Sequence, residues 1–149
     1  MIRIRDAVPD DSDSLVEFNA AMALETENMV LDPATLRAGV AALLAQPQRG
    51  FYLVAEDAGI VIGCLMITHE WSDWRNGDWW WLQSVYVRAD YRRHGVFRTL
   101  YADVEQRARR TEGVIGLRLY VERDNARAQR TYAALGMQPT HYAIYHQTF

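Results

Sequence analysis

The sequence predicts a single domain of mixed α/β class, and three observations lead to that expectation. Segments with the alternating apolar pattern of strands are interleaved with segments whose apolar residues recur every three or four positions, as in helices. The chain has 149 residues, which is long enough to bury a hydrophobic core within one domain. Half of the residues are apolar and 23% are charged, an ordinary composition for a globular protein. We therefore expect residues 1–149 to form one domain.

The first third of the chain is predicted to hold one short strand and two helices. Alternation at residues 2–5 favours a strand. Residues 9–12 offer a helix start, and an apolar stripe continues to about residue 23 before residues 24–29 break the pattern. A second helix begins after Asp32, a capping residue followed by proline, and ends near residue 46.

Three strands are predicted next. The apolar segments 51–56 and 60–69 are joined by Asp57-Ala58-Gly59, which is typical of a hairpin turn. Residues 71–78 are predicted to form a polar aromatic loop. The aromatic and β-branched residues at 79–87 then favour a third strand. Strand alternation would send Trp79 and Trp81 to one face and Trp80 to the other.

The remaining chain alternates between helix and strand patterns. Asp124 or Asn125 can cap the last helix, and Gly136 can end it. The aromatic alternation near the C-terminus favours a closing strand. The predicted elements of this half are a helix from residue 96, a strand at 116–121, a helix at 124–136 and a strand at 140–147.

A basic loop between the strand at 79–87 and the following helix is a candidate anion site. It carries three arginines and one glycine, Gly95, just before the helix begins. A helix N-terminus presents unpaired backbone N–H groups and the positive end of the helix dipole, which suits a phosphate or pyrophosphate. Gly95 lets the backbone approach such a ligand because it has no Cβ. A solvated basic turn is the alternative. A nucleotide P-loop and a dinucleotide fingerprint are excluded, because no Gly-Lys-Ser/Thr and no second glycine are present.

The last predicted helix carries a second candidate ligand face. Asn125, Ala128 and Tyr132 stand at positions i, i+3 and i+7, so they share one side of the helix. An amide, a small residue and a phenol in this arrangement could grip the ends of a thin, extended ligand.

Together these two segments resemble the Gcn5-related N-acetyltransferase (GNAT) family. They are Arg92-x-x-Gly95 after Val85-x-Val87, and Asn125-x-x-Ala128-x-x-x-Tyr132-x-x-x-Gly136-Met137. The resemblance covers residues 81–137, over a third of the chain. It implies a mixed, mostly antiparallel central sheet flanked by helices, in which a splayed parallel pair of strands holds acetyl-CoA. Phe97 departs from the family's usual Gly or Ala, so its ring must point away from the phosphates.

The resemblance also implies roles for individual residues. Tyr132 would be the general acid that protonates the leaving thiolate, and the backbone N–H of Tyr86 or Val87 would polarise the thioester carbonyl. The alternatives are a core packing role for Tyr132 and a purely capping role for Asn125. The residues expected to bind acetyl-CoA are Val85, Tyr86, Val87, Arg92, Arg93, His94, Gly95, Val96, Phe97, Arg98, Asn125, Ala128 and Tyr132.

The general base and the acceptor site are less defined by the sequence. Glu122 follows a predicted strand and is the candidate catalytic base, with a solvated strand end as the alternative. Glu25 and Glu27 lie in the break between the first two helices, a segment that often lines the family's acceptor site. With Trp80 and Gln83 they are the candidate acceptor-binding residues. The acids could instead be surface charge, and the tryptophans could instead form core and a dimer contact.

Composition excludes several other classes of protein. A net charge of −3 implies no general affinity for nucleic acid or anionic membranes. The lone Cys64 excludes an internal disulfide and a Cys-rich zinc site, and the histidines lack metal-ligand spacing, so no metal is expected. No long uncharged apolar segment suggests a signal peptide or membrane span, so we expect a cytoplasmic protein.

The leading hypothesis is an acetyl-CoA-dependent N-acetyltransferase that acts on the primary amine of a small molecule by direct attack. Two alternatives stay open. One is a protein or peptide N-acetyltransferase, and the other is an acyl-CoA-binding module that has lost catalysis. A homodimer also stays open.

Overall fold

The computed structural model describes residues 1–149 and confirms the mixed α/β class. Its residues divide into two units, Met1–Leu119 and Tyr120–Phe149. The elements are β1 (Arg3–Asp6), α1 (Ser12–Glu27), α2 (Pro33–Ala45), β2 (Gly50–Asp57), β3 (Ile60–Ser72), β4 (Gly77–Val87), α3 (Val96–Arg110), β5 (Val114–Leu119) and, in the second unit, α4 (Ala126–Ala134). None of these helices is both long and apolar enough to cross a membrane.

The first unit is built on a five-stranded sheet in the order β1-β2-β3-β4-β5. Neighbouring strands are antiparallel from β1 to β4, whereas β4 and β5 are parallel. This confirms the predicted sheet. The pairing of β4 with β5 runs from Asp78 to Leu82, and β4 then continues to Val87. Half of β4 therefore extends beyond its parallel partner, as a splayed pair requires.

Helices cover both faces of this sheet. Val54 and Cys64 pack with buried residues of α1 and α2. Their strand neighbours Leu53 and Leu65 are equally buried and point to the opposite face, since side chains alternate along a strand. The helix α3 packs on the sheet through Val96, Leu100 and Val104, among others, all of which are buried.

The helix α1 is longer than predicted. Residues 24–27 are its last turn, so the predicted break at 24–29 is wrong for these four positions. The helix ends at Asn28, which adopts a left-handed φ of 50° and donates its N–H to the carbonyl of Leu24 at 3.2 Å. Asparagine is one of the few residues that end helices in this way. Apolar periodicity missed the last turn because Leu24, Glu25 and Glu27 are exposed.

The β3–β4 hairpin and β5 also differ slightly from expectation. The ladder continues to the pair Ser72–Gly77, so only residues 73–76 of the predicted loop at 71–78 lie outside strands. Asn76 has a positive φ of 47° within this turn. The strand predicted at 116–121 begins and ends two residues earlier.

The predicted final strand at residues 140–147 is wrong. These residues form neither helix nor strand, and Tyr142, Ile144 and Tyr145 are exposed. The second unit contains α4 but no strand. An alternating pattern alone does not make a strand, because the backbone N–H and C=O groups need a neighbouring strand as partner.

A buried ion pair joins β1 to the start of α1. Arg5 donates hydrogen bonds of 2.7 and 2.9 Å to Asp11 and one of 2.8 Å to Glu56. Asp11 is only 6% exposed and also accepts the N–H of Val8 at 2.8 Å. The guanidinium of Arg5 holds the pKa of the Asp11 carboxyl below its ordinary value.

We expect Asp11→Asn to lower the free energy of unfolding by about 3 kcal/mol, because it leaves the Arg5 cation with a weakened partner. The folded-state pKa of Asp11 is lowered, so its contribution is complete above the ordinary carboxyl pKa and is lost as the pH falls through the folded value. Urea titrations from neutral into acid pH should show the difference between wild type and variant shrinking. Asp13→Asn is the control. It removes an exposed partner of Arg37 and should cost less than about 1 kcal/mol. Equal losses in the two variants would contradict this account.

Candidate active site

The loop between β4 and α3 adopts a conformation that most residues avoid. Arg93 has a φ of 67° and Gly95 a φ of 79°, both in the left-handed region. A Cβ at Gly95 would meet no protein atom within 4 Å. Backbone conformation, and not packing against the protein, therefore favours glycine here. Left-handed residues that alternate with ordinary ones turn successive N–H groups toward one point, which forms a concavity for an anion.

The helix α3 begins beside this loop without a side-chain cap. Its N-cap residue is Gly95, and no side chain accepts a hydrogen bond from the first turn. The first N–H groups therefore carry the positive end of the helix dipole without a capping acceptor. Arg93, His94 and Arg98 are exposed around this end and form no ion pair. The predicted loop residues thus gather at one basic, uncapped helix end, which fits a phosphate or pyrophosphate.

Phe97 does not crowd this concavity. Its ring centroid lies 6.1 Å from that of Tyr101, one turn further along α3. The ring therefore extends toward the following turn of the helix, as the sequence required.

Three predicted site residues from distant parts of the sequence meet at the C-terminal end of β4. Arg92 donates through Nη2 to Glu25 Oε2 at 2.7 Å and through Nε to the carbonyl oxygen of Val87 at 2.9 Å. Tyr86 donates its hydroxyl to Glu25 Oε1 at 3.3 Å. The guanidinium carbon of Arg92 lies 5.4 Å from the centre of the Tyr86 ring. A residue expected at the acceptor site thus contacts two that were expected at the cofactor.

The side chain of Tyr86 is a feature that the sequence analysis missed. It stacks on Phe18 of α1 with a centroid separation of 5.1 Å. Burial, together with the nearby Glu25 carboxylate, raises the pKa of the Tyr86 phenol. The phenol therefore stays protonated at neutral pH and acts as a donor. Strand alternation was the one available signal, since it turns Tyr86 toward the same face as Cys64.

The other predicted acceptor residues do not gather with the loop. Gln83 donates to the hydroxyl of Thr68 at 2.7 Å on the neighbouring strand. Glu27 is exposed at the end of α1. Trp80 is 6% exposed and packs edge-on against Phe51, with ring centroids 5.2 Å apart.

Trp80 instead lines a cavity of ≈ 400 Å³ beside Arg107 and Thr111, at the C-terminal end of α3. The loop lies at the other end of this 15-residue helix, which is about 22 Å long. The structure therefore separates Trp80 from the candidate anion site.

The second unit presents the predicted face of α4. Asn125 caps the helix, as expected, because its Oδ1 accepts the N–H of Ala128 at 3.0 Å. Ala128 and Tyr132 are half-buried, whereas the residues between them are exposed. Burial raises the pKa of the Tyr132 phenol above its ordinary value of 10.0. Glu122 is exposed, and its backbone carbonyl accepts the N–H of Asn125 at 3.1 Å.

A comparison with protein-family models matches residues 17–137 to the acetyltransferase (GNAT) family. The chain belongs to the GNAT family. It is therefore an acetyltransferase, and the match spans residues of both units. A search of curated proteins found no match.

Solved structures of other GNAT proteins share the fold. A protein of Clostridium difficile 630, described as a possible acetyltransferase, is 42% identical with a TM-score of 0.94, over 100% of this chain and 98% of that one. The acetyltransferase AAC(6')-Iy, bound to the bisubstrate analogue CoA-S-monomethyl-acetylneamine, is 17% identical with a TM-score of 0.78, over 100% and 99% of the two chains. The ribosomal-protein-alanine N-acetyltransferase of Brucella melitensis biovar Abortus 2308 is 16% identical with a TM-score of 0.79, over 100% and 99%.

Proposed function

We propose that this GNAT protein transfers the acetyl group of acetyl-CoA to the primary amine of a small molecule, and that residues 1–149 act as one domain. The observation that carries the proposal is the uncapped N-terminus of α3, preceded by left-handed Arg93 and Gly95. The backbone N–H groups there, with His94 and Arg98, would hold the pyrophosphate. The cofactor supplies an activated thioester when it is bound.

The extended end of β4 supports the position of the acyl arm. Residues 83–87 continue beyond the last pair with β5, so their backbone can bond an extended ligand as an added strand would. In this proposal Val85 contributes to that surface, and the N–H of Tyr86 or Val87 polarises the acyl carbonyl. A donor aimed at the developing negative charge lowers the barrier for attack.

Tyr132 is proposed as the acid that protonates the departing thiolate. Its raised pKa supports this role, because an acid must hold its proton until the sulfur gains charge. Asn125 and Ala128 share its helix face and are proposed to contact the cofactor. The exposed Glu122 is proposed as the base that keeps the attacking amine neutral.

The acceptor is proposed to be a small amine. Acidic and polar side chains suit an ammonium group, and of the predicted set Glu27 and Gln83 keep this proposed role, together with Trp80. AAC(6')-Iy shares the fold and is a GNAT protein crystallised with an aminoglycoside-derived analogue. The structurally similar ribosomal-protein-alanine N-acetyltransferase keeps a peptide acceptor as the competing proposal.

A thiol-release assay tests the proposed function. Purified protein and acetyl-CoA are incubated with polyamines, amino sugars and amino acids, and with peptides that have free N-termini. Release of CoA thiol with a small amine, and acetylated amine by mass spectrometry, is the expected result. Release with peptides alone would select the peptide alternative. Calorimetric binding of acetyl-CoA without release for any acceptor would select the non-catalytic acyl-CoA-binding module.

A further inference from the structure

We propose that Glu25 is a positioning residue for the cofactor loop, acting through Arg92, and that it does not bind the acceptor amine. This inference rests on the proposed binding of acetyl-CoA by the loop. It deepens that proposal because it assigns to the end of α1 a part in cofactor affinity.

The contacts of Arg92 support this role. Its Nε and Nη2 bond to acceptors in two different elements, the last carbonyl of β4 and the Glu25 carboxylate of α1. The backbone N–H of Arg92 also bonds to the carbonyl of Ala89 at 3.3 Å. A side chain held at two points restrains its own backbone. The next residue, Arg93, is the first left-handed residue of the anion-binding turn.

The contacts of Glu25 leave little capacity for an acceptor. One carboxylate oxygen accepts from Arg92 and the other from Tyr86. Tyr86 is held in turn by its stacking on Phe18 in the same helix, α1. An ammonium group would have to displace the guanidinium to reach this carboxylate. The loop is thereby tied to α1 at a point where the sequence predicted only acceptor recognition.

The charges around the loop divide the work of the arginines. Glu25 neutralises Arg92, whereas Arg93 and Arg98 have no acidic partner and keep their positive charge for the anion. Removing a carboxylate from this surface should by itself strengthen the binding of an anion, because it removes repulsion. If Glu25 positions the loop, its removal should weaken binding instead. The sign of the effect therefore separates positioning from simple electrostatics.

The test is calorimetric titration of the full chain with acetyl-CoA. We expect Glu25→Gln to weaken binding about fivefold, the upper range for a partly exposed ion pair. The control is Glu17→Gln, which neutralises an exposed carboxylate of the same helix that forms no hydrogen bond or ion pair. It should leave affinity unchanged or slightly higher.

A double-mutant cycle completes the test. Arg92→Gln should weaken binding at least as much as Glu25→Gln, and Glu25→Gln should cause no further loss once Arg92 is replaced, because the two act as a unit. Steady-state kinetics should show a raised KM for acetyl-CoA and an unchanged KM for the acceptor. Unchanged or tighter acetyl-CoA binding by Glu25→Gln overturns the positioning role. Wild-type protein that does not bind acetyl-CoA overturns the proposed function itself.

Discussion

Replacing Tyr132 with phenylalanine is expected to lower kcat by about 10²–10⁴-fold, the usual contribution of a general acid. Phenylalanine keeps the half-buried ring and its packing but removes the proton that the thiolate needs. Affinity for acetyl-CoA should change little, because the phenol acts mainly as charge develops on sulfur. Single-turnover measurements are required, since slow product release would hide a change in the chemical step.

The pH dependence of the Tyr132→Phe variant provides the control. Burial raises the pKa of Tyr132 above 10.0, so the wild-type acid stays protonated throughout the neutral range. The deficit of the variant should therefore be constant with pH below that value. A variant that loses thermal stability but keeps its single-turnover rate would show that Tyr132 is a packing residue and that another group supplies the proton.

Gly95→Asp is expected to weaken acetyl-CoA binding about a thousandfold. The new carboxylate would lie within the anion-binding turn, and two like charges about 4 Å apart repel by about 4 kcal/mol near a protein surface. The fold should survive. A Cβ at this position meets no protein atom within 4 Å, aspartate tolerates the left-handed φ of 79° better than most residues, and a negative charge at a helix N-terminus is stabilising.

Gly95→Asn is the matched control for this experiment. Asparagine has nearly the same size and the same tolerance of left-handed backbone, but it carries no charge. Calorimetry should show a much smaller loss for asparagine than for aspartate. If the two variants lose affinity equally, bulk and not charge determines the effect. If a folded Gly95→Asp variant binds as wild type does, the pyrophosphate lies elsewhere.

Local features of the site were predictable because each depends on a few neighbouring residues. Gly95 announced a left-handed turn before a helix, and the structure has both. Asn125 announced the cap of α4, and its side chain accepts the expected hydrogen bond. The sheet order and the parallel pairing of β4 with β5 came from the family resemblance and were confirmed. The catalytic and binding roles stay predictions that the experiments above test.

The errors in the predicted elements arose where sequence pattern alone was weighed. Residues 140–147 alternate like a strand but form none in a unit that offers no strand partner. Residues 24–27 lack apolar periodicity and are nevertheless helical, because the helix continues to the left-handed Asn28. In both cases the hydrophobic pattern describes which side chains seek burial, whereas backbone hydrogen bonding decides which segments become regular structure.

The sequence by itself determined the class of fold, the basic glycine loop before α3 and the polar face of α4, since their preferences are encoded within a turn or two of chain. Tertiary structure alone decided the partner of Glu25. Arg92 lies 67 residues away in the sequence, and the two meet only because α1 packs beside the end of β4. It also decided that Trp80 packs against Phe51 at the far end of α3. Strand register and helix packing fix such long-range pairs, and local residue patterns do not encode them.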